Sequence, residues 1–123
     1  MSEEILRPPL ASHRDDRGEI QVLVDGTPMS SVLFIRSKKR AIRANHFHKT
    51  DYHFCILTSG KMEYYERPVG SKEPPMRLVI GTRQIFHTPR MVEHEMTCLG
   101  DSVLWCFFAT IAPKLTTKMT QFV

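Results

Sequence analysis

Several things are scarce or missing in this chain of 123 residues. No apolar run approaches the roughly 20 residues needed to cross a bilayer. The opening MSEEILRPPL is acidic and lacks the basic and apolar regions of a secretory leader, so the expected location is the cytoplasm. There are three cysteines, Cys55, Cys98 and Cys106, an odd number with no CxxC pair. Each lies in an apolar, strand-like run, which reads as buried reduced thiols rather than a disulfide framework or a zinc knuckle. No segment keeps a 3.6-residue apolar period long enough for a helix, and no internal repeat or low-complexity stretch occurs. Basic residues are not interleaved with aromatics along a stripe, which disfavours a nucleic-acid partner.

What is present is β-patterning. The runs GEIQVLVDG, SVLFIRS, HFCILTS, KMEYYER, MRLVIG, RQIFHT, HEMTCLG and SVLWCFFAT are apolar, β-branched or aromatic. Turn residues separate them about every eight to twelve positions, the spacing of an all-β sandwich or barrel. Ser59-Gly60 is expected to close a tight hairpin between HFCILT and KMEYYE, and Leu99-Gly100-Asp101 a second tight connection. VGSKEPP is expected to be an exposed loop. A closed jelly roll would leave no long sheet edge exposed. The expected organisation is an N-terminal arm (1–12), a single barrel (13–111) and a C-terminal tail (112–123).

Chemistry concentrates in Arg43-Ala-Asn-His46-Phe-His48-Lys49-Thr-Asp-Tyr52-His53. It holds three of the six histidines within eight positions. Alternate residues of a strand share a face, so His46 and His48 would aim into one space. His53 can return on the next strand, and His94 follows the turn TPRMVE. On the same alternation, Cys55 and Leu57 share the face of His53, and Met96 and Cys98 that of His94. Converging neutral imidazoles suit a divalent transition metal such as Zn, Fe, Ni or Mn. Just upstream, Arg36, Lys38, Lys39, Arg40 and Arg43 form a basic approach. That approach is either a solvated surface or a docking face for an anionic small molecule. Arg36, Arg43 and Lys49 are the candidate ligand contacts. Tyr52 and Tyr64 are candidate acids, and Tyr65 is a further tyrosine of the same kind. His13 and His87 read as structural or exposed.

These residues resemble the two cupin motifs. His46, His48, His53 and Gly60 follow the first, G-x5-H-x-H-x(3,4)-E-x6-G, with His53 where the family usually has Glu and Arg40 in place of the initial Gly. Gly81…Pro89-Arg-Met-Val-Glu-His94 follows the second, G-x5-P-x-G-x2-H-x3-N. It has two extra residues before Pro89, Met91 in place of Gly and Cys98 in place of Asn. The resemblance implies a double-stranded β-helix, or jelly roll, with metal ligands His46, His48, His53 and His94, and a homodimer by analogy. Asp16-Arg17-Gly18-Glu19-Ile20 with Arg43-Ala44-Asn-His46 is similar to the sugar-nucleotide epimerase and ketoisomerase branch. There the position of His46 removes a proton next to a keto group and the position of Arg43 faces a diphosphate. Ala44 stands where that branch has Gly. A metal-bound His46 has no lone pair left for a base, so the ligand and base roles are alternatives. The functions that follow are carbonyl-polarising isomerase or epimerase chemistry on a keto sugar or similar oxo compound, a histidine-ligated Fe(II) dioxygenase, or a non-catalytic cupin that binds a metal or metabolite.

Overall fold

In the computed structural model, residues 5–46 and 51–110 are described. All the described elements are strands. They are β1 (Leu6–Arg7), β2 (Ala11–Asp15), β3 (Gly18–Val22), β4 (Ser31–Ser37), β5 (Ile42–His46), β6 (Asp51–Ser59), β7 (Met62–Pro68), β8 (Met76–Ile80), β9 (Ile85–Thr88), β10 (Val92–Cys98) and β11 (Ser102–Thr110). The eight apolar runs of the sequence each contain one of them. β1, β2 and β5 are too short or too polar to stand out in the sequence. Among the described residues, no helix is long and apolar enough to cross a membrane.

The strands form a five-stranded sheet in the order β1-β9-β6-β11-β4, a four-stranded sheet in the order β5-β10-β7-β8, and the separate β2-β3 ribbon. Every pairing is antiparallel. The five-stranded and four-stranded sheets bury their facing sides. Leu57, Met62, Tyr64, Ile80 and Phe86 form the centre of the core, each at most 1% exposed. A fully buried side chain of this size contributes roughly 1.5–3 kcal/mol. The fold is an all-β jelly roll, as the turn spacing indicates.

The connections differ from the sequence expectation. β6 and β7 do not pair with each other; they lie in different sheets, and so do β10 and β11. Ser59-Gly60 is therefore a corner that carries the chain from one sheet to the other, not a hairpin. Leu99-Gly100-Asp101 is a second such corner. A short loop rich in turn residues has the same sequence signature in both cases, because only the partner strand, distant in sequence, decides between them. The two corners are tied together: the Leu99 amide donates to the Lys61 carbonyl at 2.8 Å. The loop over VGSKEPP does join paired strands, β7 and β8.

The arm expected over residues 1–12 is partly built into the barrel. Leu6 and Arg7 pair with Phe86 and Ile85 of β9, and Ile5 lies in the core, 2% exposed. Residues 112–123 lie outside the described residues.

Candidate functional site

Burial alternates along the two strands that carry the described site histidines. On β6, His53, Cys55 and Leu57 point inward, and on β10, His94, Met96 and Cys98 do the same. The two imidazoles meet between the sheets: His53 is 2% and His94 3% exposed. Their ring centres are 5.3 Å apart, tilted by 55°. Phe108 stacks on His53 at 4.7 Å. On β7, the strand paired with β10 in the same sheet, Tyr64 lies 6.3 Å from His94, centre to centre. Its hydroxyl donates to Glu66 Oε1 at 2.7 Å and contacts Thr88 Oγ1 at 2.6 Å, so the threonine hydroxyl donates to it. Burial, and then the neighbouring Glu66 charge, push the Tyr64 phenol well above its ordinary range. It stays protonated, donating to Glu66 and accepting from Thr88.

His46 ends β5, directly across from His94 in the register. The ladder slips at this point: Glu95 pairs with Ala44, so one residue of β5 is left over between two adjacent residues of β10. Ala44 sits at φ 71°, the left-handed conformation such a bulge needs. His48 and Lys49 lie outside the described residues.

The other candidates are placed elsewhere. Tyr52 is on the outer face of β6, edge-on to Phe54 at 5.9 Å and His87 at 5.8 Å. Arg36 is also outward, its guanidinium 5.8 Å from the Phe34 ring centre. Arg43 donates through Nε to Ser37 Oγ at 2.9 Å and through Nη2 to the Arg36 carbonyl at 3.3 Å. Lys38, Lys39 and Arg40 occupy the β4–β5 corner, where the Arg40 amide donates to the Cys98 carbonyl at 2.7 Å. Cys98 is four residues along β10 from His94, about 13 Å at strand spacing. Thus the basic corner caps one end of the barrel and the histidines occupy the other. Tyr65 faces outward and donates to Glu63 at 3.0 Å. His13 is exposed and contacts Asp15 Oδ2 at 3.2 Å. His87 takes a hydrogen bond from Arg7 Nη2 at 3.2 Å and packs on Phe54.

Glu66, Thr88 and Phe108 were not among the residues singled out in the sequence. Tyr64-x-Glu66 follows the same-face spacing of a strand and could have been found; Thr88 and Phe108 reach the site only through strand pairing. A cavity of about 320 Å³ lies against β7 and β10, lined by Tyr65, Glu66, Arg67, Glu93, His94 and Glu95 among others. Its carboxylates outnumber its single arginine, which does not favour an anionic ligand there.

Two donor sets share His53. Imidazoles bound to one metal at about 2.1 Å with a tetrahedral angle place their ring centres about 5 Å apart. The His53–His94 spacing fits. In addition, a ring nitrogen of His53 and the sulfurs of Cys55 and Cys106 lie within 4.8 Å of one another, a possible soft-metal group.

No protein-family model and no curated protein sequence matches this chain. Solved structures do. WlaRA, a TDP-fucose-3,4-ketoisomerase from Campylobacter jejuni, superposes with a TM-score of 0.70 at 12% identity, over 85% of this chain and 81% of that one. The capsular polysaccharide assembling protein CapF from Staphylococcus aureus gives 0.63 at 23% identity, over 85% of this chain and 32% of its own. The Drosophila melanogaster CENP-C cupin domain gives 0.58 at 17% identity, over 65% and 57%. The chain spans about a third of the length of the CapF chains and somewhat more than half of the CENP-C domain. These superpositions show that the chain has the cupin fold.

Proposed function

We propose that this cupin barrel catalyses isomerase or epimerase chemistry on a keto sugar or similar oxo compound. The observation that carries the reading is the buried His53–His94 pair, with the Tyr64 ring beside it, inside a largely apolar barrel. Such an interior, apolar with a few convergent polar groups, suits a small molecule. Support also comes from the neighbours, which include the ketoisomerase above and a dTDP-4-dehydrorhamnose 3,5-epimerase from Sulfolobus tokodaii at 13% identity.

In this reading His46, His48, His53 and His94 would hold a divalent transition metal. When bound, it would supply Lewis acidity to a substrate carbonyl. Thr88 and Glu66 fix the Tyr64 hydroxyl, whose proton is held by Glu66 and whose remaining lone pair would accept a hydrogen bond from a substrate hydroxyl. Phe108 holds the His53 ring and excludes water beside it. A base must remove the proton next to the carbonyl, and His46 fills that role if it is not a ligand.

Solvent deuterium incorporation at the α-carbon of nucleotide-linked keto sugars tests the proposal. Incorporation should fall at least a hundredfold in His46→Ala. If His46→Ala keeps the bound metal but loses exchange, His46 is the base; if the metal leaves, it is a ligand. No exchange with any keto sugar of a nucleotide-sugar panel would overturn the reading.

We also propose a homodimer through the outer face of the five-stranded sheet. Val32, Phe34 and Trp105 are 55%, 50% and 37% exposed there. Phe34 and Trp105 touch at 4.9 Å, and β4 is the edge of that sheet among the described residues. An apolar patch beside an open edge is complementary to a second copy of itself.

A further inference from the structure

Cys55 and Cys106 take no part in the chemistry proposed above. They are direct register partners on the antiparallel strands β6 and β11, although 51 residues apart in sequence. Both are inward, 1% and 2% exposed. Opposed antiparallel residues hold their Cα atoms roughly 4.5–5.5 Å apart, within the roughly 4.4–6.8 Å that a disulfide spans. The sulfurs are 2.7 Å apart, nearer than the roughly 3.5–4.0 Å of ordinary non-bonded heavy atoms. A disulfide at about 2.05 Å needs them only about 0.65 Å closer. A tetrahedral metal at about 2.3 Å from each would need them pushed apart to about 3.8 Å. The geometry is nearer the disulfide. Cys98 stands on β10 in the other sheet.

We propose that Cys55 and Cys106 form a reversible dithiol–disulfide site oxidised by small peroxides. Burial pushes the Cys55 thiol well above its ordinary range, so the attack is slow. One sulfur attacks a peroxide oxygen; the O–O bond breaks, one water leaves and a sulfenic acid remains. The second sulfur attacks the sulfenyl sulfur; the S–O bond breaks and takes the second thiol proton away as water. Two thiols are oxidised and one hydrogen peroxide is reduced to two waters. Because the second thiol is already in contact, the sulfenic acid is resolved before it can oxidise further. The new bond would staple the two central strands of the five-stranded sheet. It would also remove the S–H beside His53, whose Nδ1 is 3.4 Å from Cys55 Sγ. The inference is independent of the isomerase reading.

The test treats the reduced full-length protein with hydrogen peroxide in the presence of EDTA, then alkylates it under denaturing conditions and maps the peptides. The expected result is an intact mass lower by about 2 Da before alkylation, then a Cys55–Cys106 linked peptide, alkylated Cys98 and full reversal by dithiothreitol. Cys106→Ser should abolish the link and Cys98→Ser should keep it. The proposal is overturned if all three cysteines stay alkylatable or become sulfonated, or if the link involves Cys98 or a second chain. It is equally overturned if the protein as purified holds a stoichiometric metal that is lost in Cys106→Ser, which would make the group a metal–thiolate site.

Discussion

Gly60→Ala should be among the most damaging small substitutions in this protein. Gly60 turns the corner between β6 and β7 at φ 99°. A Cβ placed there would overlap the Ser102 hydroxyl and come within 2.6 Å of the Asp101 carbonyl oxygen and 2.8 Å of Ser102 Cα. The last two are backbone atoms of the other corner, already fixed to this one by the Leu99–Lys61 hydrogen bond, so neither can rotate away. The left-handed conformation alone costs an L-residue about 1–2 kcal/mol, and forced overlap in a packed region adds about 1–3 kcal/mol. Reduced freedom of the unfolded chain returns about 0.4–1 kcal/mol. The net loss is about 1–4.6 kcal/mol, centred near 3 kcal/mol. Gly70 supplies the control, because its φ is 87° and a Cβ there would meet nothing within 4 Å. Gly70→Ala should cost about 1 kcal/mol or less, the conformational part alone. Urea unfolding of the three proteins with a common m-value measures both, and their difference is the overlap. Equal losses in the two variants would refute the corner-to-corner contact.

Three further outcomes follow from other parts of the barrel. Met91 precedes β10 at φ 62° while 46% exposed, so β-branched Met91→Val should cost about 1–2 kcal/mol by urea unfolding, whereas Met91→Gly should cost less than half as much. Burial, and then the nearby Arg7 charge, hold the His87 imidazole down at about 4, below its ordinary 6.5. The unfolded chain therefore binds a proton that the folded chain refuses between those values. Stability should fall as pH drops from about 6.5 to 4, more steeply in the parent than in His87→Gln by urea midpoint; parallel curves would remove His87 as the cause. Trp105→Glu should convert the dimer to a monomer by light scattering without loss of folded signal, and a parent already monomeric at high concentration would end the dimer proposal.

The barrel was legible because its strands bury alternate residues, and that period survives in the sequence wherever a strand is long. His53-x-Cys55-x-Leu57 and His94-x-Met96-x-Cys98 announce their inward faces this way. Strand partnership was not legible, since a corner and a hairpin need the same turn residues. That is why Ser59-Gly60 reads as one and is the other, and why Cys55 and Cys106 gave no sign of being opposite each other. The cupin motifs and the ketoisomerase branch have glycine where this chain has Arg40, Ala44 and Met91, and all three adopt positive φ, 76°, 71° and 62°. Arg40 lies at the basic corner, and the other two lie upstream of the site histidines. The backbone demand at these positions thus persists without the residue that meets it most easily. Ala44 precedes His46 on β5 and Met91 precedes His94 on β10, strands that are in register through those two histidines. A chain that keeps two strained residues, one upstream of each histidine, holds the bulge and the turn that set where His46 and His94 begin. The packing around Ala44, only 7% exposed, offsets its strain in a way that a glycine, with no methyl to bury, would not. The substitution pattern therefore marks both ends of the barrel, the basic corner at Arg40 and the histidine end at Ala44 and Met91, as places where the surroundings hold a glycine-like backbone.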